Sequence, residues 1–339
     1  MTLASMARKY EARSVPRGEK VATSAMIASL AAEGYDTVAA PFGHALTALA
    51  RKDDRIVGLS ADLSKYTDLH VFAQAMPDRF YQMGMAEQLL MSAAAGMARE
   101  GFIPFATTYA VFASRRAYDF IAMAIAEENL PVKIVCALPG LTTGYGPSHQ
   151  ATEDLAIFRG LPNMTIIDPC DADDVAGMVP EIAAHPGPVY ARLLRGKVPS
   201  VLSRHKPGYR FRLGQARMIR EGGDVLIVST GLMTMRALDA ADKVEVAVLH
   251  VPTIKPLDTA TILAEAARGG RLVVTAENHT LNGGLGEAVA REMLLAGITP
   301  RFRMIGLPDE FLEAGALPTL HEIYGLSVDR VAGQIRDWL

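Results

Sequence analysis

The stretch Tyr81-Gln-Met-Gly-Met-Ala-Glu-Gln-Leu-Leu90 places one carboxylate, Glu87, at the head of a run that stays apolar and alanine-rich to Glu100 and stops at Gly101. Alanine and straight-chain residues favour helix, and a glycine just past the last turn ends one. The segment therefore predicts a helix from Glu87 to about Glu100. Its acid has two readings. It offsets the positive end of the helix dipole, or it is a nearly buried acid on an apolar element, placed for proton transfer. Acids in such settings also serve structure, so the segment alone does not choose between them.

Outward from this helix, short β-branched runs alternate with longer helical stretches. Candidate strands are Arg55–Ser60, Ile103–Thr107, Val132–Leu138, Met164–Asp168 and Pro188–Leu193, then Asp224–Thr230, Val244–His250, Arg271–Ala276 and Phe302–Leu307. Continuous apolar strands alternating with helices imply parallel sheets covered on both faces. The expected class is α/β, with two doubly wound domains. Between the two sets, Gly196-Lys-Val-Pro-Ser-Val-Leu-Ser-Arg-His-Lys-Pro-Gly208 shows no periodicity and reads as a connection between domains. The expected organisation is an N-terminal extension over 1–35 with a helix Glu19–Glu33, a first domain over 36–198, a linker over 199–211 and a second domain over 212–339.

Composition removes several function classes. The chain has 339 residues, a formal net charge of −3 and a hydrophobic fraction of 50%. It shows no basic run interleaved with aromatics, so no nucleic-acid partner is expected. Nor is there an uncharged apolar run of the roughly 18 residues that a membrane helix needs. The first residues lack the apolar core of a secretory signal. Cys136 and Cys170, the two cysteines, have no metal-ligand spacing and suit a reducing compartment. The expectation is a cytoplasmic protein.

Four segments that follow strands of the first set carry the chemistry, because open α/β sheets bind ligands at that edge. They are Ser60-Ala-Asp-Leu-Ser64, the Glu87 helix, Thr107-Thr-Tyr-Ala-Val-Phe-Ala-Ser-Arg-Arg-Ala-Tyr118, and Gly140-Leu-Thr-Thr-Gly-Tyr-Gly-Pro-Ser-His-Gln150. Together they supply a buried acid, an aromatic pair and a glycine-rich loop ending in a histidine. An acid beside an aromatic wall suits a flat heteroaromatic ring. Each element also has a plain structural reading. Tyr109 and Phe112, three apart, fit a core stripe; His149 fits a loop cap; Ser60 and Asp62 fit an N-cap pair. Order and spacing together are what is specific.

Met83-Gly-Met-Ala-Glu-Gln88, Pro104-Phe-Ala-Thr-Thr-Tyr-Ala-Val-Phe112, Gly-Pro-Ser-His-Gln150, Leu161-Pro-Asn-Met-Thr165 and Pro169-Cys-Asp-Ala172 resemble transketolase, and more narrowly the C-terminal section of split, two-gene transketolases. The resemblance runs over about residues 36–339. It continues through Pro188-Val-Tyr-Ala-Arg192, Glu277-Asn-His279 as a turn, and Gly283-Gly-Leu-Gly-Glu287 as a helix opening, the last two read as turn and interface elements. It implies a pyrimidine-binding domain of the thiamine diphosphate-binding fold followed by a transketolase C-terminal domain.

The resemblance also implies roles. The cofactor is thiamine diphosphate. Glu87 matches the glutamate that hydrogen-bonds N1′ of its aminopyrimidine and promotes the tautomer that removes the thiazolium C2 proton. Tyr109 and Phe112 match the wall against that ring, and Arg115 falls in the same cofactor-binding set. His149 matches a catalytic histidine that contacts donor hydroxyls. Ser60 and Arg195 match residues that hold the acceptor's terminal phosphate, a task suited to arginine's fork of donors. Departures stand beside the matches. Gly144-Tyr-Gly146 replaces Gly-Glu-Asp-Gly, no arginine precedes Gly43 in Val38-Ala-Ala-Pro-Phe-Gly43, and a donor-site histidine near Leu138 is absent. A site with one arginine fewer holds a phosphate dianion less firmly, so the expected sugar is not the standard pentose phosphate pair but a branched, deoxy, sulfonated or unphosphorylated derivative.

The 339 residues contain no Gly-Asp-Gly followed by Asn-Asn, the ligands that hold the cofactor's diphosphate through Mg²⁺ or Ca²⁺. No metal ligand is expected in this chain. The resemblance thus implies an α-type, N-terminal-section partner and an α2β2 heterotetramer acting on small sugars or sugar phosphates. Three other readings remain at this point: the β subunit of a 2-oxo acid or acetoin dehydrogenase, a fragment of a 1-deoxyxylulose-5-phosphate synthase, which is normally a single long chain, and a non-catalytic pseudo-subunit.

Overall fold

The computed structural model describes residues 34–339; the helix expected over Glu19–Glu33 lies outside them. The strands in chain order are β1 (Thr37–Ala39), β2 (Ile56–Ser60), β3 (Phe80–Gln82), β4 (Ile103–Tyr109), β5 (Lys133–Ala137), β6 (Thr165–Ile167), β7 (Val189–Leu193) and β8 (Lys197–Pro199). They continue as β9 (Arg217–Arg220), β10 (Val225–Ser229), β11 (Ala247–His250), β12 (Thr253–Lys255), β13 (Leu272–Thr280) and β14 (Arg301–Leu307).

Among the described residues, one sheet of seven strands runs β12-β6-β7-β5-β4-β2-β3. All its neighbours pair parallel except β12 with β6. The central strands β2, β4, β5 and β7 are buried at every position, as expected of strands covered on both faces. Their side chains alternate between two cores. Phe105 and Val135 join Phe42, Leu46 and Val175 from helices Pro41–Ala50 and Ala172–Ala184. Ala106 and Ile134 meet Leu90 and Met91 of helix Glu87–Arg99 and Ile121 on the other face. The Glu87 helix stops as expected: Arg99 is its last residue and Gly101 takes a positive φ of 90°. A second sheet, β14-β13-β10-β11-β9, is parallel except at β11–β9. No described helix is long and apolar enough to cross a membrane.

The two halves are stitched together. Strand β12, from the second half of the chain, adds antiparallel to β6 of the first sheet, and Lys255 Nζ donates to the carbonyls of Arg159 at 3.0 Å and Leu161 at 2.6 Å. Asp174 accepts from His250 Nε2 at 2.7 Å and from the Tyr209 hydroxyl at 2.6 Å. Arg192, 1% exposed, pairs with Asp154 and Asp168 and donates to the Asn278 carbonyl at 3.1 Å.

Glu277-Asn-His279, expected at a turn, lies inside β13, at the irregularity in register between the Ala276–Ile305 and Thr280–Leu307 pairs with β14. Glu277 accepts the N–H groups of Leu285 at 2.6 Å and Gly286 at 2.8 Å, the unpaired donors that open helix Leu285–Leu295. The approach needs Gly284, since a Cβ there would sit 1.9 Å from Glu277 Oε2. His279 accepts the Ala156 N–H at 3.3 Å, across to the first domain.

Burial pushes the Glu277 carboxyl up to about 7 and pulls His279 down to about 4, with Arg192 adding to the latter. Folded Glu277 keeps a proton that the unfolded chain has lost, so stability falls as pH rises through the window from about 4.5 to about 7. His279 acts oppositely: the unfolded ring is charged where the folded one is neutral, so stability is lost as pH drops from about 6.5 to about 4. In urea denaturation at stepped pH, the stability of wild type relative to His279→Gln should rise from about pH 4 to about pH 6.5 and stay level above that. A difference that does not change with pH would contradict the His279 assignment.

Candidate active site

Glu87 opens its helix directly from Ala86 with no side-chain cap beneath it. The helix packs its Leu90–Met91–Ala94 stripe on the sheet, which takes Glu87 inward with it, to 1% exposure. Its Oε2 accepts from Arg116 Nη1 at 2.8 Å and its Oε1 from the Thr108 hydroxyl at 3.4 Å. Thr108 faces this side because the pleat of β4 turns Thr107 to the other, where it meets Thr67 at 3.0 Å.

The aromatic wall begins where β4 ends. After Tyr109 the chain makes one wide, π-helical turn over Phe112–Arg116, closed by Ala117 N–H on the Phe112 carbonyl at 3.2 Å; such turns recur at functional sites. The Tyr109 and Phe112 rings lie 5.7 Å apart, and the His149 ring stands edge-on to both, 6.2 and 5.4 Å away. Tyr66 continues the wall from Tyr109, and Tyr145 covers His149 at 5.3 Å. Burial raises the Tyr109 phenol, with Arg195 pulling the other way.

Arg115, expected in the cofactor-binding set, donates from Nη1 to the Pro147 carbonyl at 2.8 Å and from Nη2 to the Gln150 carbonyl at 3.3 Å, and its Nε pairs with Glu153. It braces the turn that presents His149, whose Nδ1 engages Ser148 Oγ at 2.9 Å. The second half of the chain holds the same loop from its other side. Gln150 Nε2 donates to the carbonyls of Thr143 and Glu313, both at 3.1 Å, and Gly315 N–H to the Gly144 carbonyl at 3.0 Å. Leu141 N–H donates to Asn278 Oδ1 and His321 Nε2 to the Leu141 carbonyl, each at 2.8 Å. At Gly140, with φ +57°, a Cβ would fall 2.1 Å from the Asn278 carbonyl.

Ser60 is fully buried, and its hydroxyl accepts the Leu63 N–H at 3.0 Å. Arg195 sits over the Tyr66 ring at 5.6 Å. Its Nε and Nη2 are buried and have no hydrogen-bond partner among the described residues. Asp68 accepts the neighbouring Gly196 N–H at 2.9 and 3.1 Å, and burial raises its carboxyl against the pull of Arg195.

Glu87, Tyr109, Phe112 and His149 thus share one edge of the sheet, with Arg195 reached through Tyr66. Sequence reasoning missed Arg116, Tyr66 and the straps from Asn278, Glu313 and His321. Arg116 had a local signal, its i, i+4 spacing from Phe112; the straps had none.

Residues 36–200 match the transketolase pyrimidine-binding domain and residues 214–331 the transketolase C-terminal domain. The transketolase family protein y4mN of Sinorhizobium fredii (strain NBRC 101917 / NGR234) is 69% identical over 326 residues, 94% of each chain. The 6-deoxy-6-sulfo-D-fructose transketolase subunit SqwH of Clostridium sp. (strain MSTE9) is 41% identical over 288 residues, 83% of this chain and 88% of SqwH. A solved split gene transketolase, described as an inactive β4 tetramer, superposes with a TM-score of 0.79 at 40% identity, covering 88% of this chain and 96% of that one.

Gln150→Leu should release the loop by removing the donor shared by the Thr143 and Glu313 carbonyls, a loss of about 1–3 kcal/mol. Limited proteolysis should then cut within residues 140–150 faster than in wild type, and unchanged cleavage there would refute the strap.

Proposed function

The chain belongs to the transketolase family, and from that premise we propose that it is the β-type subunit of a two-chain transketolase. It acts with thiamine diphosphate to move a two-carbon ketol unit between sugar derivatives. The observation that supports this best is the convergence of buried Glu87, the Tyr109–Phe112 wall and His149 on one sheet edge. These residues fit the ring half of the cofactor: a buried carboxyl for a ring nitrogen and an aromatic face beside it. When bound, the cofactor supplies the nucleophilic carbon and electron sink for carbon–carbon cleavage.

The chain's own residues supply the rest. Glu87 holds and exchanges a proton at the ring nitrogen, with Thr108 fixing its Oε1. Tyr109 and Phe112 keep water from that exchange. Ser148 takes the His149 Nδ1, which leaves Nε2 to face a donor hydroxyl. The unpartnered Nε and Nη2 of Arg195 form one edge of a guanidinium, a fork for a tetrahedral anion at the far end of the sugar. Ser60 serves that end by fixing the turn at Leu63.

The diphosphate and its Mg²⁺ fall to an α-type partner in an α2β2 assembly. Two observations support this. The sequence carries no Gly-Asp-Gly, and among the described residues no three His, Cys, Asp or Glu side chains converge on a cation position. The relatives y4mN and SqwH are covered over 94% and 88% of their own length, and SqwH is named a transketolase subunit. The unpartnered Arg195 at the anion end, together with the similarity to SqwH, favours a sulfonated sugar as substrate. Two buried free cysteines suit the cytoplasm.

Mixing the chain with its α-type partner should give cofactor-dependent ketol transfer, preferring 6-deoxy-6-sulfo-D-fructose to xylulose 5-phosphate as donor. Glu87→Gln should lower turnover by about 10²–10⁴-fold, and Arg195→Met should raise KM for the anionic sugar by about tenfold or more. Full activity of the chain alone, lipoyl-linked decarboxylation in place of ketol transfer, or an active Glu87→Gln enzyme would overturn the proposal.

A further inference from the structure

Arg116 occupies the place where the proposed function puts a ring. Its guanidinium carbon stands 4.4 Å from the Phe112 centroid, over the aromatic face, while Nη1 donates to Glu87 Oε2 at 2.8 Å. A guanidinium is flat, delocalised and edged with N–H donors. It therefore makes, at once, the stacking contact and the carboxylate contact expected of an aminopyrimidine. The wide turn over Phe112–Arg116 creates this geometry by bringing the two side chains onto one face of the wall.

Neighbouring Arg115 is tied to the loop by contacts to Pro147, Gln150 and Glu153. Arg116 is held differently. Its one side-chain hydrogen bond among the described residues is to Glu87, and its side chain is 44% exposed. A half-exposed arginine can swing into water at little cost. Glu87 cannot, since it is 1% exposed and its other contact, to Thr108, is long at 3.4 Å. In the chain without a ring, Arg116 supplies most of what the buried carboxylate needs.

We propose that Arg116 is a resident stand-in for the cofactor's pyrimidine: it keeps Glu87 and Phe112 in their binding positions in the free chain, and it must leave before the ring can enter. The ring therefore competes with an internal ligand, and Arg116 sets cofactor affinity without contacting the bound cofactor. This rests on the assignment of Glu87 and Phe112 to the pyrimidine subsite, so the test separates the two ideas.

The probe is 4-amino-5-hydroxymethyl-2-methylpyrimidine, titrated calorimetrically into the full chain, which needs neither partner nor turnover. Removing the ion pair to Glu87 and the cation–π contact to Phe112 from the competing state should tighten ring binding roughly tenfold in Arg116→Ala. Arg116→Lys, which keeps the charge but not the flat fork, should fall between that variant and wild type. Glu87→Gln in the Arg116→Ala background should abolish the gain. Equal or weaker ring binding by Arg116→Ala would overturn the inference. If Glu87→Gln weakens ring binding while Arg116→Ala does not strengthen it, only the stand-in fails. If Glu87→Gln changes nothing in either background, or no variant binds the ring, the subsite assignment falls as well.

Discussion

A carboxylate held at 1% exposure cannot be left without partners, and the architecture around Glu87 follows from that constraint. An ionised acid removed from water loses several kcal/mol of hydration unless charge and hydrogen bonds replace it. Here the replacement comes from elements distant in sequence: Thr108 at the end of β4 and Arg116 on the turn beyond it. The helix that carries Glu87 cannot tilt away to relieve it, because Leu90, Met91 and Ala94 are packed on the sheet. Burial of the acid is thus a by-product of burying the helix stripe, and the wide turn at Phe112 brings the compensating cation into reach.

The second half of the chain acts as a clamp on the first. Its strand β12 extends the first sheet, Asp174 and His250 join the halves, and Arg192 knits Asp154, Asp168 and the Asn278 backbone into one buried network. The same face reaches the His149 loop through Asn278, Glu313, Gly315 and His321. A loop rich in glycine is free to move by itself. Held by two amide side chains and a histidine, it presents His149 in one orientation against Tyr109 and Phe112. The C-terminal domain therefore contributes positioning to the site although none of its residues forms the wall.

Much of this was legible in the chain. Continuous apolar runs marked every long central strand, and the Ala-rich run from Glu87 to Gly101 gave its helix almost to the residue. Local patterns sufficed there because burial on both faces leaves nothing polar to confuse them. What stayed hidden depends on pairing across the chain. Thr253–Lys255 falls in none of the expected strands, and it is a strand because it pairs with the edge of β6. Glu277 reads as a turn acid, yet it lies in a strand and caps a helix start. Arg115 and Arg116 are indistinguishable in sequence, although one is bound to a loop carbonyl and the other to a buried acid.

The proposed role of Glu87 depends on where its carboxyl points once the site is filled. A crystal structure of the chain assembled with the proposed α-type partner, thiamine diphosphate and Mg²⁺ would show this directly. The expected result is Glu87 within hydrogen-bond distance of the pyrimidine ring nitrogen, Phe112 against that ring, and Arg116 turned to solvent. A structure in which Glu87 keeps its bond to Arg116 while the cofactor lies elsewhere would contradict it.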